Sequence, residues 1–446
     1  MDLLSKAYST ASDDDDGDSV TGRGSQYTNP FSPPPKRSRI ETSFSNPIQM
    51  PGLRRPNLHT EAPIPGGYIS KRQRAALATD PKVIDPNPKS VDPSPVVGSL
   101  SDSDIPHGIL TKLRRHMKGG VVPNQTPQSL SAALKGHSKS VNSLQWSKTR
   151  AHLLASAGMD HTVCIWNVWS RGQKQARILN CHHAAVKDVK WSQQGLSVLS
   201  CGYDCTSRLV DVEKGMETQV FREDQIVEVV KFCPDNYNLF LSGGSKGLLK
   251  LWDIRTGTVV REYVRSLGPI LDVEFTVDGR YLITSSDVSK SNLSENSIIV
   301  WDVSRQVPLS NQVYAEAYTC PSIRCHPFEP YFIAQSNGNY IAIFSTRPPF
   351  KLDKYKRYES HGVSGFPIKC NFSMDGNMVA TGSNDGCIYS YDTKTSKFLK
   401  KVKAYEQPCV DVVFHPSLPD VVASCSWNGE VSVAHRDRSN NWKISP

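Results

Sequence analysis

The first 128 residues contain no tryptophan and no cysteine, although the whole chain has eight tryptophans and eleven cysteines. They also hold 17 of the 30 prolines. A stretch with so few large apolar side chains cannot bury enough surface to offset the entropy that is lost on ordering. We therefore predict a disordered, proline-rich region over residues 1–128 and place the folded part after it.

Several other kinds of segment are missing from the chain. No run of 18 or more apolar residues occurs, and the first residues lack the pattern of a secretory signal. We therefore expect no membrane span and no secretion. The cysteines form no CxxC pair. We expect reduced core thiols in the cytoplasm or nucleus, with a zinc site as the less favoured alternative.

Motifs of enzyme chemistry are absent as well. The sequence has no GxxxxGK followed by Ser or Thr, no HExxH, no GxSxG, and no GxGxxG after a strand. Such motifs position phosphates, metals and nucleophiles in many enzymes. Residues 243–247 look like a phosphate loop, but they fall in a predicted hairpin that no helix follows. We therefore expect no catalysis, no small-molecule substrate and no cofactor.

Charge in the first region is segregated. Residues 1–18 carry six Asp against one Lys, whereas residues 19–128 carry 15 Lys or Arg against seven acidic residues. The cations form short clusters, which suit nuclear import and phosphate contact or, equally, a solvated basic segment. Those singled out are Lys36, Arg37, Arg39, Lys71, Arg72 and Arg74. Phosphorylation of Ser32 would add negative charge beside the first cluster. Residues 109–118 can form a short basic helix on binding a partner.

From about Leu130 onward, a unit of short apolar strands and tight polar turns recurs. Its closing positions are spaced 44, 42, 49, 43, 47 and 43 residues apart. They are Trp166, Val210, Trp252, Trp301, Phe344, Tyr391 and Ala434. A period of about 40–45 residues with short strands is typical of propeller blades. We therefore predict an all-β, seven-bladed propeller over residues 129–438 and a short tail over residues 439–446.

The first unit carries the pattern of a known repeat, with a Gly-His pair, an Asp and a Trp-Asn pair at matching positions. In this it resembles the WD40 repeat family. The resemblance implies a hydrogen-bonded chain within blade one that supports the fold and is not an active site. Its members are His137, Ser156, Asp160 and Trp166. Blade two has Val210 in place of the Trp, and blades three to seven show no histidine at the matching position.

Residues 129–135 precede the first blade and have no partner within it. We predict that they supply the outermost strand of blade seven. Such pairing joins the two ends of the domain and protects the last sheet edge.

Two surface features suggest partners. Basic residues alternate with tyrosines in a predicted loop between blades five and six, a mixture that suits RNA but also suits an exposed charged connector. Its members are Lys351, Lys354, Tyr355, Lys356, Arg357 and Tyr358. Blade three ends in a WDxR motif formed by Trp252, Asp253 and Arg255. In cullin-RING ligase substrate receptors that Arg contacts an adaptor, whereas here Asp253 and Arg255 can also satisfy their own turn.

Five segments resemble one subfamily more closely, the WD repeat-containing protein 25 family, which is similar in turn to the spliceosomal pre-mRNA-processing factor 17. The segments are residues 310–313, 319–322, 334–346, 361–366 and 409–430. The resemblance implies a non-catalytic scaffold in a nuclear multi-subunit complex, linked to splicing, that binds proteins and, as an open alternative, RNA. A ubiquitin-ligase receptor is the competing hypothesis. We expect a monomer in the nucleus, with a cytoplasmic fraction left open.

Overall fold

The computed structural model describes residues 94–118, 129–263, 268–287, 298–312 and 318–435. Within these ranges the chain forms seven antiparallel sheets of four strands each. The first strand of each blade contacts that of the next blade, and the first strand of blade seven contacts that of blade one. The sheets therefore close into a ring, and the predicted seven-bladed propeller is confirmed.

The strands follow the blade order of the chain. Blade one comprises β2 (Val141–Trp146), β3 (Leu153–Gly158), β4 (Val163–Asn167) and β5 (Gln175–Leu179). Blade two comprises β6 (Val186–Trp191), β7 (Ser197–Gly202), β8 (Thr206–Asp211) and β9 (Met216–Arg222). Blade three comprises β10 (Val227–Phe232), β11 (Leu239–Gly244), β12 (Leu249–Asp253) and β13 (Thr258–Tyr263). Blade four comprises β14 (Ile270–Phe275), β15 (Tyr281–Ser286), β16 (Ile298–Asp302) and β17 (Val307–Gln312).

The last three blades repeat the pattern. Blade five comprises β18 (Ser322–Cys325), β19 (Tyr331–Ser336), β20 (Tyr340–Ser345) and β21 (Leu352–Tyr358). Blade six comprises β22 (Cys370–Phe372), β23 (Met378–Thr381), β24 (Cys387–Asp392) and β25 (Phe398–Lys403). Blade seven comprises β26 (Cys409–Phe414), β27 (Val421–Ser426), β28 (Val431–His435) and β1 (Ser129–Leu134). All seven predicted closing positions lie on the third strands.

The strand β1 closes the ring as the sequence predicts. It pairs antiparallel with β28, from Ser129 opposite His435 to Leu134 opposite Val431. Leu134 is buried in the core that blades seven and one share. Hydrogen bonds from a strand before blade one therefore complete the sheet of blade seven, which joins the two ends of the propeller.

Three aspartates, Asp188, Asp272 and Asp411, connect neighbouring blades at the inner strands. Each lies beside a shift in strand register, where the extra residue turns a side chain towards the next blade. The Asp411 carboxylate accepts the backbone N–H of Leu144 at 3.0 Å, and Asp272 accepts that of Ile323 at 2.8 Å. These bonds satisfy buried backbone donors between blades, so they contribute to holding the ring closed.

Residues 94–118 differ from the sequence expectation of disorder over 1–128, because they form structure against blades one and two. The backbone N–H groups of Val97 and Gly98 donate to the carbonyl of Ala176 on β5. A 3-10 turn (Asp102–Asp104) and a helix, α1 (His107–Lys118), follow. Leu113 of α1 is buried in the core of blades one and seven. The helix thus forms within the chain itself, whereas the sequence suggested that a partner would be needed.

The turns between the first and second strands of all blades lie at one end of the ring, because every blade has its first strand innermost and runs in the same direction. We call this end the first-turn rim; it includes residues 276–280, 326–330 and 373–377. The helix α1 packs near Leu418 and Ala151, which belong to the first turns of blades seven and one. It therefore covers the first-turn rim on one side only.

Candidate functional site

The polar chain of blade one brings four predicted side chains together. His137 Nδ1 lies 3.0 Å from the Asp160 carboxylate, and His137 Nε2 lies 2.7 Å from Ser156 Oγ. The Trp166 indole N–H donates to the same hydroxyl at 2.8 Å. The chain links the loop before the blade to its second and third strands, so it fixes the loop and these two strands relative to one another.

Electrostatics strengthen this chain. Burial alone would lower the pKa of His137, but the interactions with Asp160 and Cys164 together outweigh burial and raise the pKa to about 9. Burial would raise the pKa of Asp160, but His137 and the backbone N–H of Ser138 hold it well below its usual range. The pair is therefore a charge-assisted hydrogen bond at neutral pH, which is stronger than a neutral one.

Other blades keep only part of the chain. The Trp252 indole N–H donates to Ser242 Oγ at 2.9 Å in blade three, and that of Trp301 donates to Thr284 Oγ1 at 3.0 Å in blade four. Blade two keeps the histidine chain, with His182 lying 2.9 Å from the carboxylate of Asp204. Val210 fills the Trp position there and makes only apolar contacts. The departures noted in the sequence are thus real differences in bonding.

The sequence expectation that blades three to seven lack a matching histidine is wrong for blade six. His361 Nδ1 lies 3.0 Å from the hydroxyl of Tyr391, and its Nε2 lies 2.8 Å from Gln335 Nε2 of blade five. In blade seven Tyr405 takes the same place and donates to the Ser424 carbonyl at 2.7 Å. The signal in the sequence was the His-Gly order at 361–362, which reverses the Gly-His order of blade one.

The WDxR motif of blade three divides between core and surface. Trp252 is buried, whereas the Arg255 side chain is 66% exposed. Its guanidinium donates to both oxygens of Asp253, at 3.2 and 2.8 Å. Asp253 also accepts the backbone N–H of Arg255 at 2.8 Å. A partner carboxylate would therefore compete with an existing bidentate pair.

The predicted RNA-facing loop is not a loop between blades but the outer strand of blade five, β21. Its register places Phe344 opposite Leu352 and Ala342 opposite Arg357, so residues 353–356 bulge out of the strand. Tyr358 is buried against Tyr391, with ring centroids 5.5 Å apart, and cannot face a partner. The alternation of strand side chains explains the correction, since Tyr358 points to the opposite face from Arg357. The side chains of Lys351, Lys354, Tyr355, Lys356 and Arg357 are exposed as predicted.

The basic clusters of the first region lie outside the described residues. This holds for Lys36, Arg37, Arg39, Lys71, Arg72 and Arg74, and for Ser32. They remain sequence predictions.

A line of apolar side chains is exposed on the first-turn rim, and the sequence motifs did not indicate it. Val277 of blade four and Phe328 of blade five are each 63% exposed. Tyr237 of blade three and Met374 of blade six are exposed at the corresponding turns. We call these four residues the apolar arc. The arc occupies blades three to six, whereas α1 covers the same rim at blades seven and one.

Other kinds of site find no support in the described ranges. No cluster of three or more His, Cys, Asp or Glu that could hold a metal ion occurs among the described residues. All eleven cysteines are free thiols, and nine are buried. In the part of the chain that the structure covers, no helix has the length and apolar character needed to cross a membrane.

The ring of four-stranded blades, its closure by β1 and the polar chain of blade one define the protein as a WD40-repeat β-propeller. The family model described as "WD domain, G-beta repeat" matches residues 128–167, 173–211 and 353–392. These matches cover blades one, two and six, which are the blades where a buried histidine joins the polar chain.

The chain belongs to the WD repeat-containing protein 25 family. It is 35% identical to WD repeat-containing protein 25 of Mus musculus over 372 residues, which is 82% of this chain and 69% of the relative. It is 31% identical to Pre-mRNA-processing factor 17 of Homo sapiens over 302 residues, 67% of this chain and 50% of the relative. It is 25% identical to Pre-mRNA-processing factor 17 of Saccharomyces cerevisiae over 69% of this chain and 67% of the relative. The match spans half of the human factor.

Proposed function

We propose that this chain is a non-catalytic scaffold that binds other proteins in a nuclear complex acting in pre-mRNA splicing. The observation that carries the binding role is the apolar arc. Exposed Phe, Tyr and Met side chains are the types enriched where protein surfaces meet. A curved row of them on one rim of a rigid ring suits a partner that lies across several blades.

The splicing assignment is supported by the relationship to pre-mRNA-processing factor 17, whose name states its process. The basic clusters at residues 36–39 and 71–74 have the composition of nuclear-import signals, which supports a nuclear location. The polar chain of blade one joins buried side chains to one another within the sheet, which supports a structural role for those residues.

Purification of the tagged full-length chain from nuclear extract, with and without ribonuclease, tests this function. We expect splicing proteins to co-purify and to persist after ribonuclease, because the arc contacts protein. The variant V277E/F328E should lose them, since two buried carboxylates at an interface cost several kcal/mol. Tyr203→Glu, an exposed aromatic on the opposite rim in blade two, is the matched control.

Retention of the splicing proteins by the arc variant would remove the arc from the proposal. Their absence from the wild-type purification would contradict the splicing assignment itself.

The alternative is a substrate receptor of a cullin-RING ubiquitin ligase that engages its adaptor through Arg255. The observation in its favour is the exposed guanidinium at the end of β12. Under this hypothesis Arg255→Ala abolishes adaptor pull-down and leaves the melting temperature within about 2 °C, because an exposed pair contributes little stability. Adaptor binding that survives the substitution would assign Arg255 to its own turn.

A further inference from the structure

The outer strands of blades five and six carry far more positive charge than the other outer strands. β21 has Lys354, Lys356 and Arg357, and β25 has Lys400, Lys401 and Lys403. The outer strands β5, β9 and β13 have one Lys or Arg each, and β17 and β1 have none. The charge is therefore confined to one sector of the ring.

Lysine on an exposed outer strand has an ordinary explanation, because it prevents edge-to-edge aggregation. That explanation requires protection at every exposed edge. The outer strands of blades one to four have one cation or none. Edge protection therefore does not account for three cations on each of the outer strands of blades five and six. Attraction of an anionic partner does account for it.

Half of these six cations form no ion pair within the ranges that the structure describes. They are Lys354, Lys356 and Lys400. By contrast, Lys401 pairs with Asp385 at 2.7 Å, Lys403 pairs with Glu406 at 3.6 Å, and Arg357 pairs with Glu359. The cations without an ion pair therefore keep their charge available for a ligand.

An aromatic ring stands among these cations. Tyr355 is 97% exposed and lies between Lys354 and Lys356 in the bulge of β21. The Asp353 carboxylate accepts the backbone N–H groups of Tyr355 and Lys356, at 2.9 and 3.2 Å. These hydrogen bonds fix the backbone conformation of the bulge, so the Tyr355 ring extends into solvent from an ordered backbone.

A cavity lies beside β21. It has a volume of about 330 Å³, and blade six contributes Lys394 to its lining. On the blade-five side, Lys351 and Lys356 line it together with the acidic Glu329 and Asp353. On the neighbouring strand, Phe398 of β25 is also exposed. We call the outer strands β21 and β25, with their cations, the cavity and the exposed rings of Tyr355 and Phe398, the basic sector.

We infer that the basic sector binds single-stranded RNA. Lysines contact the phosphates, and Tyr355 and Phe398 stack on bases. Cations between exposed rings are the recurrent arrangement of single-strand binding, since every base offers a face for stacking. An acidic peptide would use the lysines but would leave a fully exposed tyrosine unexplained. This inference goes beyond the scaffold function and stands even if no protein binds the apolar arc.

The test uses the purified full-length protein and a short fluorescein-labelled single-stranded RNA of mixed sequence, followed by fluorescence anisotropy. We expect K354E/K356E/K400E to weaken binding at least about 10-fold and to flatten the slope of log affinity against log salt by about 2, as three phosphate contacts predict. Tyr355→Ser should weaken binding about 10-fold with the salt slope unchanged, because stacking is not electrostatic.

The matched control is K139E/K148E/K214E, which reverses three exposed lysines around blades one and two. We expect it to reduce affinity less than about 3-fold, as a general field effect. Melting temperatures verify that all variants are folded. Equal losses in control and sector variants, or equal competition by a polyglutamate peptide of the same length, would overturn the inference. Since nuclear extract is not used, failure here is distinct from failure of the splicing assignment.

Discussion

Blade one and blade five build the same four-stranded sheet with opposite chemistry. In blade one, His137, Ser156, Asp160 and Trp166 form a continuous polar chain. In blade five, the positions that correspond to the last three are Ala334, Gly338 and Phe344. There Phe332 stacks on Phe344 with centroids 5.0 Å apart and planes inclined by 9°.

The difference teaches that the propeller requires a filled space between strands, not a particular bond. A polar chain restricts the positions of its side chains, because each partner must meet the next at hydrogen-bonding distance. Stacked rings bury apolar area instead, and their contact tolerates small shifts in position. Blade one borders the ring closure and α1, where fixed geometry matters most, whereas blade five carries the exposed bulge.

The largest expected effect comes from removing the closure beside blade one. Deletion of residues 129–136 removes β1 and leaves the edge of β28 unpaired. We expect aggregation, or a melting temperature lower by about 10 °C or more, since several kcal/mol of pairing and burial are lost. Deletion of residues 1–93 is the control and should change the melting temperature by less than about 2 °C. An unchanged melting temperature after the first deletion would show that the ring closes without β1.

The next largest effect distinguishes the stability contributed by the polar chain from that contributed by the packing around it. Asp160→Ala should cost about 3 kcal/mol in denaturant unfolding, because His137, Ser138 and Thr162 lose a charged acceptor. Asn428→Ala changes the corresponding turn of blade seven, where the side chain accepts one backbone N–H at 3.2 Å. It should cost less than about 1 kcal/mol. Equal costs would mean that the polar chain adds nothing special to blade one.

The histidines of blades one and six should affect the pH dependence of the free energy of unfolding in opposite ways. Burial lowers the pKa of His361 to about 4, whereas an unfolded histidine has a pKa near 6.5. The unfolded state therefore binds more protons as pH falls through 6.5, and folded stability falls with it. By pH 5 this loss should reach about 2 kcal/mol. His137 has a raised pKa, so its contribution is present below pH 6.5 and is lost as pH rises through about 9.

The measurement is the free energy of unfolding at pH 7 and pH 5 for the wild type and for His361→Gln. The variant should show a decrease that is smaller by about 2 kcal/mol. His415, whose pKa burial lowers to about 3, and His152, whose pKa burial also lowers, remain in both proteins and contribute to the remaining acid sensitivity. An identical decrease in the two proteins would remove His361 from the account.

The smallest effect tests the stacked pair of blade five. Leu154 faces Trp166 in blade one at the position where Phe332 faces Phe344 in blade five. Phe332→Leu should cost about 1 kcal/mol, because it removes the ring stack and leaves a small gap. Adding Phe344→Trp recreates the pair of blade one and should restore part of the loss. A double variant less stable than the single one would show that the blade frames are not interchangeable.

The blades were predictable from sequence because strand alternation and a repeated closing position are local patterns. Trp166, Trp252 and Trp301 mark third strands wherever the repeat is strong, and even Ala434 follows the spacing. The members of the polar chain followed from the resemblance of blade one to the WD40 repeat. These features depend on neighbours within one repeat of about 45 residues.

Features that depend on contacts between distant parts escaped prediction. The sequence indicated a helix over residues 109–118 but assigned its formation to a partner, whereas Leu113 of α1 is buried by blades one and seven of the same chain. Sequence alone did not show that Tyr358 turns inward, and it left the pairing of Asp253 with Arg255 as one of two alternatives. The basic sector combines residues of two strands, β21 and β25, that belong to different blades. The apolar arc combines residues from four turns in four blades.

The pairing of β1 with β28 also has a consequence for biosynthesis. About 300 residues separate the two strands, so a ribosome adding 5–20 residues per second needs about 15–60 s between them. During that time β1 has emerged without its partner, and its edge is open to other chains. A nascent chain of this protein therefore depends on protection of its earliest strand until its last blade has been made.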